Sequence, residues 1–398
     1  MNKSLWKGNR PQDIWRCESD IPEDIWVQAA TAALPVLAVA GIDLSSGFDA
    51  LLETILGEGQ FGPDHFRMGF AKRVYYRVKP FFPQPLAWVL RKWYSNPNRQ
   101  KFPLQWPIEP RYALYLREVL RQAMLLSGTK SLRYINFWPE GRRYALILTH
   151  DVETQAGQEN IRAIADLEES MGFRSSFNFI PERYTIDNNL VDELKRRGFE
   201  IGIHGLRHDG KLFLSKKGFD ERVKRINGYL ETYGAAGFRS PLTHRNPEWM
   251  QALDVEYDSS FFDTDPYEPM PGGTMSIYPY LLGKFVELPY TLMQDYTLAS
   301  FMQQDTPRLW LEKTAFIEQY HGMALINSHP DYLQDTRTQY VYTRFLEEMQ
   351  TKDSVYHALP RDTARWWRER SAANPRNPTY PQTIGSVHLD ENNLRFDT

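Results

Sequence analysis

The feature that most restricts this chain is an alternation that begins after Trp138-Pro139. Tyr144–Thr149 (YALILT) is a short apolar run, the pattern of a strand buried on both faces. A helical pattern follows, with Ile161, Ile164, Leu167 and Met171 on one side and Gly172 where a helix would end. Ser175–Ile180 reads as the next strand. A helix over Leu190–Arg197 stops at Gly198 and leads into a strand over Phe199–His204. Gly237–Ser240, Phe285–Pro289, Met323–Ser328 and Ser354–Leu359 are further candidates. Strands alternating with helices of about 10–15 residues specify βαβ units and a mostly parallel sheet. Six or more such units predict closure into a barrel.

The 398 residues suit one large domain plus a smaller one. Residues 1–140 read as a mainly helical N-terminal extension, with apolar residues at helical spacing in Trp26–Ala40, Phe48–Leu56 and Tyr112–Leu126. The most apolar stretch, Trp26–Leu44, contains Gln28, Pro35 and Asp43. It is too broken for the about 20 apolar residues of a spanning helix, so a buried helix or two is expected. The N-terminus, MNKSLWKGNR, lacks the apolar run of a signal peptide. Residues 67–101 are basic and aromatic, with Lys72, Arg73, Arg77, Lys79, Arg91 and Lys92 beside Tyr75, Tyr76, Phe81, Phe82, Trp88 and Trp93. Two readings stand: a surface that meets a membrane or a biosynthetic partner, or an amphipathic helix with core rings and solvated charges. After Arg370 the residues through 398 are rich in Pro, Asn, Gly and Thr, and little structure is expected in 372–398.

A net charge of −3 provides no basic field for nucleic acid. The single cysteine, Cys17, excludes an internal disulfide framework and a cysteine-based zinc site. A reduced thiol and the absent signal sequence make a cytoplasmic protein, with peripheral membrane association open, the expectation. The 14% of aromatic residues fits a core rich in rings, or rings exposed to stack on sugars.

Reacting residues of α/β barrels gather at the C-terminal ends of strands, and four polar clusters sit there. The first is Thr149-His150-Asp151-Val152-Glu153. Asp151 and Glu153 lie two apart, so on a continuing strand both carboxylates point the same way. Such a pair serves a metal, a base or both; a helix N-cap acid is the plain alternative. The second is His204-Gly205-Leu206-Arg207-His208-Asp209, whose histidines at i and i+4 can present both rings to one ion, or can be two loop histidines. The third is Phe238-Arg239-Ser240-Pro241, where an arginine beside a turn proline can orient a carboxylate or simply face solvent. The fourth is Ile326-Asn327-Ser328-His329-Pro330, whose histidine suits proton transfer near neutrality or a capping hydrogen bond.

In order, THDVE, HGLRH, RSP and SHP resemble the motifs of the polysaccharide deacetylase family, carbohydrate esterase family four, over about residues 141–371. The resemblance implies a distorted, incomplete β/α barrel and a divalent metal, with zinc expected. It implies Asp151 as catalytic base, Glu153, His204 and His208 as metal ligands, Arg239 as the residue that orients Asp151, and His329 as general acid. Two histidines and a carboxylate leave an open position on zinc for water or substrate. The metal and a backbone N–H near Asp258–Phe261 are expected to stabilise the oxyanion. Many members read T-F-D-D; here Val152 stands in second place and Glu153 gives a D-x-E spacing, similar to a subgroup whose ligand lies two residues after the base. Gly205 replaces the usual Ser or Thr, which removes a hydroxyl and no ligand.

Pro241, Phe261 and Tyr290 are candidate substrate contacts, with Tyr267 a further ring that could stack on a sugar; core or turn packing is the plainer reading for each of the three rings Phe261, Tyr267 and Tyr290. The implied reaction is hydrolysis of N-acetyl groups on amino sugars of a polysaccharide or oligosaccharide. Other small amides, cyclic imides and O-acetyl esters suit the same site, and a non-catalytic carbohydrate-binding protein is the rival of another class.

Overall fold

The computed structural model describes residues 5–397 except 40, 46, 63–64, 67–68, 70–101 and 380. The basic, aromatic segment 67–101 therefore lies outside the described residues, Gly69 apart.

The chain opens with α1 (Pro11–Trp15), β1 (Cys17–Glu18), α2 (Glu23–Leu37), α3 (Asp49–Ile55), α4 (Arg111–Ser127) and β2 (Ser131–Ile135). α2 buries Trp26, Ala29, Ala30, Ala33 and Leu37, one helical face. Its alanines let it lie close along α4, which buries Leu116, Val119, Leu120 and Ala123. No helix among the described residues is long and apolar enough to cross a membrane.

Next come β3 (Tyr144–Val152), α5 (Gln155–Ser170), β4 (Ser175–Phe179), α6 (Asn188–Arg196), β5 (Glu200–Ile203), α7 (Lys216–Tyr233) and β6 (Gly237–Phe238). The chain continues through β7 (Tyr257–Asp258), β8 (Tyr280–Leu282), β9 (Phe285–Glu287), α8 (Arg308–Gln319), β10 (Met323–Ser328), α9 (Thr336–Gln350), β11 (Val355–His357) and α10 (Pro360–Ala372). Thr154, Asp187, Ser215 and Asp335 cap α5, α6, α7 and α9, each side chain accepting a first-turn N–H. The nine-stranded sheet runs β10-β3-β4-β5-β6-β7-β9-β8, and β11 pairs with the lower part of β3. Every pairing is parallel except the β8–β9 hairpin. Between β9 and β10 the isolated parallel bridge Leu292 to Ile326 spans the seam. The result is the expected distorted, incomplete barrel, curled with helices on its outside.

β3 is three residues longer than its apolar run. Parallel pairing on both edges, to Ser328 on one side and Phe179 on the other, carries Thr149 to Val152 inside the sheet. β8 was not expected.

The last residues correct the expectation of an unstructured segment 372–398. β12 (Ile384–Asp390) and β13 (Asn393–Asp397) form an antiparallel hairpin, and β12 pairs with β2. Alternate residues Gly385, Val387 and Leu389 are buried, the period of a half-buried strand. Glu391 and Asn392 turn the hairpin, both at positive φ, as a two-residue loop of this twist requires. The four-stranded sheet β1-β2-β12-β13 joins the N-terminal extension to the C-terminal residues, so neither stands apart from the other.

Candidate functional site

β3 delivers its side chains alternately to two environments. Thr149 and Asp151 face one way. His150 faces the other, with Nε2 2.7 Å from Glu168 Oε1 and Nδ1 2.9 Å from Ser328 Oγ. Glu153 lies one residue beyond the strand, and its backbone N–H donates to Asp331 Oδ2 at 2.9 Å. Asp331 also accepts from the Thr154 hydroxyl. Gly157 makes room for it: a Cβ there would come within 2.2 Å of Asp331 Oδ2. The cap of α5 is Thr154, so neither Asp151 nor Glu153 serves as that cap.

Asp151 is 2% exposed and accepts three side-chain donors. Asn178 Nδ2 reaches Oδ1 at 2.9 Å, Arg239 Nη1 reaches Oδ1 at 3.3 Å, and Asn327 Nδ2 reaches Oδ2 at 2.9 Å. Asn178 leans over Gly202, where a Cβ would stand 2.0 Å from its Oδ1. Burial opposes ionisation of Asp151, but His204, Arg239, His329 and the Asn178 hydrogen bond outweigh it and hold the carboxyl well below its usual range. Arg239, 1% exposed, is itself fixed by Ser259 O at 2.8 Å, Thr149 Oγ1 at 2.8 Å and Asn327 Oδ1 at 2.7 Å. One guanidinium thus locks three strand ends around one carboxylate.

Glu153, His204 and His208 offer ligand atoms that all lie within 4.8 Å of one another. His204 follows β5; burial, with His208 and Arg239 nearby, pushes its pKa down to about 4 although Asp151 and Glu153 pull the other way. The ring is therefore neutral at neutral pH, as a ligand must be. Its Nδ1 lies 3.1 Å from Arg239 O. A donor there leaves Nε2 as the free lone pair, the arrangement that orients metal-bound histidines. His208 Nε2 is 3.0 Å from Glu153 Oε1. Burial raises the Glu153 pKa, and the three histidines His208, His329 and His204 more than reverse this, leaving it well below the usual range. The donor set fits a divalent cation.

The loop between the two histidines is tightly specified. Gly205 has φ +65°, and a Cβ there would meet Pro241 Cγ at 2.4 Å. His208 itself sits at φ 54°, a conformation that costs a non-glycine residue about 1–3 kcal/mol and concentrates at functional sites. Gly205→Ala is expected to displace His208 and destabilise the protein by at least about 1 kcal/mol. A melting temperature and metal content equal to wild type would contradict this.

His329 follows β10 and is 4% exposed. Asp295 grips it twice, accepting its backbone N–H at Oδ2 and facing Nδ1 with Oδ1, both at 2.8 Å. Burial alone would lower the imidazole pKa; Asp295, then Glu153 and Asp151, push it up to about 9.

Asp151, Glu153, His204, His208, Arg239, Asn327 and His329 line one cavity of about 100 Å³. All six residues assigned to chemistry from the sequence thus meet in one place. The substrate contacts do not. Phe261 is 0% and Tyr290 1% exposed; Phe261 lies edge-on to Tyr280, and Tyr290 packs on Phe262. Pro241 is buried against Gly205, and Tyr267 is buried too. These rings are core, which corrects their assignment. The remaining walls are Ser240, Leu242, Thr243, Glu268, Pro269, Gln294, Tyr296 and Tyr332. The amides near Asp258–Phe261 are also taken: Ser259 N donates to Phe238 O, Ser260 N to Asp258 Oδ2 and Phe261 N to Glu287 Oε1. They are not oxyanion donors.

Sequence reasoning missed Asn178, Asp295 and Asp331. Asn178 had a signal, an amide between Phe177 and Phe179 near the end of a buried strand, β4. Asp295 caps a short π-helical turn, Tyr296–Phe301, and Asp331 lies in the turn after β10; neither belongs to a motif.

A scan against protein-family models finds no match, and neither does a search of curated proteins. Similar solved structures include a Mycobacterium smegmatis protein described as a polysaccharide deacetylase, 19% identical over 58% of this chain and 92% of that one, with a TM-score of 0.47. Another is Puue allantoinase, 16% identical over 60% of this chain and 93% of that one, with a TM-score of 0.48. A third is a family 4 carbohydrate esterase from Streptomyces lividans in complex with acetate, 10% identical over 55% of this chain and 93% of that one, with a TM-score of 0.36.

Proposed function

We propose that this chain is a metal-dependent hydrolase that removes acetyl groups from amino sugars of a polysaccharide or oligosaccharide. The observation that carries the reading is the opposition of two differently prepared groups around one ligand cluster. An ionised carboxylate, Asp151, is locked by Arg239, and a histidine with a raised pKa, His329, is locked by Asp295. A carbohydrate-binding module has no need of a prepared base and a prepared acid in one cavity.

A divalent ion held by Glu153, His204 and His208 would polarise the acyl oxygen and acidify a water in the same cavity. Zinc suits two imidazoles and a carboxylate. Asp151 takes the proton from the water whose oxygen attacks the acyl carbon. Arg239 and Asn327 keep the carboxylate aimed while the proton moves. As the carbon–nitrogen bond breaks, His329 delivers a proton to the departing nitrogen, giving amine and acetate. A cavity of about 100 Å³ has room for an acetyl group, and the half-buried Tyr296 and Tyr332 in its wall are placed to meet the sugar that carries it.

The test combines metal analysis of the purified chain with acetate release from N-acetylglucosamine oligomers, before and after chelation. About one ion per chain, acetate release, and its loss on chelation are expected. Bound metal with release only from acetate esters or small amides would move the assignment to those substrates. No metal after reconstitution would reject the reading.

The acid role also predicts a pH dependence. His329 donates only while protonated, so activity should fall as pH rises through about 9. Asp295→Asn removes the main source of the raised pKa and should move that limb toward the unperturbed value of about 6.5. The same sign holds for stability. A group with a raised folded pKa stabilises the protein below its unfolded pKa, and the contribution fades between about 6.5 and 9. An alkaline limb at the same pH in both proteins would remove His329 from this role.

A further inference from the structure

Two walls of the cavity are held from outside the barrel. Thr243 belongs to the turn after β6, where Leu242 and Thr243 both have positive φ, 58° and 53°. Glu268 and Pro269 belong to the loop between β7 and β8. Arg245, 2% exposed, donates from Nη1 to Thr243 O at 2.7 Å and to Met270 O at 3.4 Å, so it ties these walls together. Its other face meets the N-terminal extension. Nε reaches Glu58 Oε2 at 2.6 Å, and Nη2 reaches Glu58 Oε1 at 2.5 Å. The Arg245 guanidinium lies 4.5 Å from the Phe262 ring and 5.4 Å from the Phe261 ring.

Glu58 is 1% exposed and sits just after α3 with φ 57°. It also accepts the Gly273 N–H at 2.6 Å, and His65 Nε2 lies 3.4 Å from its Oε1. A Cβ on Gly272 would come within 2.3 Å of the same oxygen. The extension adds further ties to this loop: Gln60 Nε2 to Gly273 O at 2.8 Å, Thr264 Oγ1 to Gln105 O at 2.8 Å, and Trp106 edge-on to Tyr267 at 5.0 Å. A dry, bidentate ion pair is unforgiving, because removing one partner strands the other charge without a counter-ion.

We propose that Glu58 is a positioning residue of the cavity: through Arg245 and Gly273 the N-terminal extension sets the walls formed by Thr243 and Glu268–Pro269. The extension is then part of the site. The partners of Glu58 are Arg245, Gly273 and His65, none of them in the ligand trio, so it governs how substrate fits and leaves the metal alone. The kinetic side of this inference rests on the proposed hydrolase activity.

The experiment uses the full chain carrying Glu58→Gln or Glu58→Ala. It measures metal content, kcat and KM for acetate release, and amide hydrogen exchange. Both variants should hold metal as wild type does. Glu58→Ala should raise KM about ten-fold with kcat changed less than about three-fold. Glu58→Gln should give a KM between those of wild type and Glu58→Ala, since its amide oxygen can still accept from Arg245 or Gly273 while its NH2 faces a donor and the charge is gone. Exchange in Glu58→Ala should quicken at Gly273 and across 241–245 and 264–273, with β3 to β5 unchanged. Unchanged KM in the folded variant, or loss of kcat and protection throughout the barrel, would overturn the proposal. If Glu58→Ala does not fold, Gln60→Ala removes one tie without a charge and should raise KM about two- to three-fold; unchanged KM there overturns it. If wild type releases no acetate, the hydrolase reading fails on its own. The exchange pattern still judges the positioning role, and exchange confined to those two loops sustains it.

Discussion

Asp151→Asn is expected to keep wild-type metal content and to lower kcat by about a thousand-fold, within the range for loss of a general base. The ligand trio, Glu153, His204 and His208, is untouched by the change. The substitution preserves volume and removes the acceptor that takes the proton. It also has a structural cost. All three partners of Asp151, namely Asn178 Nδ2, Arg239 Nη1 and Asn327 Nδ2, are donors. An amide must turn its NH2 toward at least one of them, which costs about 1–3 kcal/mol for an unmet buried pair. Because the folded pKa of Asp151 is depressed, its charge stabilises the protein above the unfolded value near 3.9 and that contribution is lost as pH falls below it. The variant should show less of this acid sensitivity. Metal analysis, kcat and thermal melts at two pH values check the three parts. Activity within ten-fold of wild type would mean that another group is the base.

Arg239→Met should destabilise the protein by about 3–5 kcal/mol, the effect of stripping the partner from a buried charge. Four contacts go at once: Ser259 O, Thr149 Oγ1, Asn327 Oδ1 and Asp151 Oδ1. Asp151 would then keep only the two asparagine amides as hydrogen-bond partners, so its pKa should rise and the acid limb of the activity profile should move to higher pH. Arg239→Lys retains a charge but not the planar fork, and should recover stability better than activity. Denaturant unfolding and a pH–rate profile read these effects. A methionine variant as stable as wild type would show that the guanidinium is not the fastener described here.

The barrel and the six candidate residues of the proposed chemistry were legible because strand ends are local features. A polar cluster directly after an apolar run marks its own place, and β3, β5, β6 and β10 each carry one. What fixes those residues was not legible. Asp295 acts on His329 across 34 positions and Asp331 on Glu153 across 178, and nothing in the sequence around either aspartate announces the partner. Phe261 and Tyr290 read more readily as packing than as stacking, yet their place beside strand ends made them candidates for both. They are core because Tyr280, Phe262 and Arg245 close over them, and Arg245 is aimed by Glu58 from a segment read only as helical. The hairpin β12–β13 was readable in principle. Val387 and Leu389 alternate with polar residues, Asn392 marks a turn, and Leu394 and Phe396 alternate again. Composition rich in Pro and Asn over 372–382 masked that pattern.

The sheet that joins β2 to β12 pairs Ile135 with Ile384, 249 positions apart by their numbers. A ribosome adding about 5–20 residues per second takes on the order of 10–50 seconds to travel between them. Throughout that interval β2 has β1 on one edge and an open ladder of N–H and C=O groups on the other, a template for any extended segment nearby. The extension must wait, half paired, while the whole barrel is made beside it. The first strand edge made is therefore among the last to be covered.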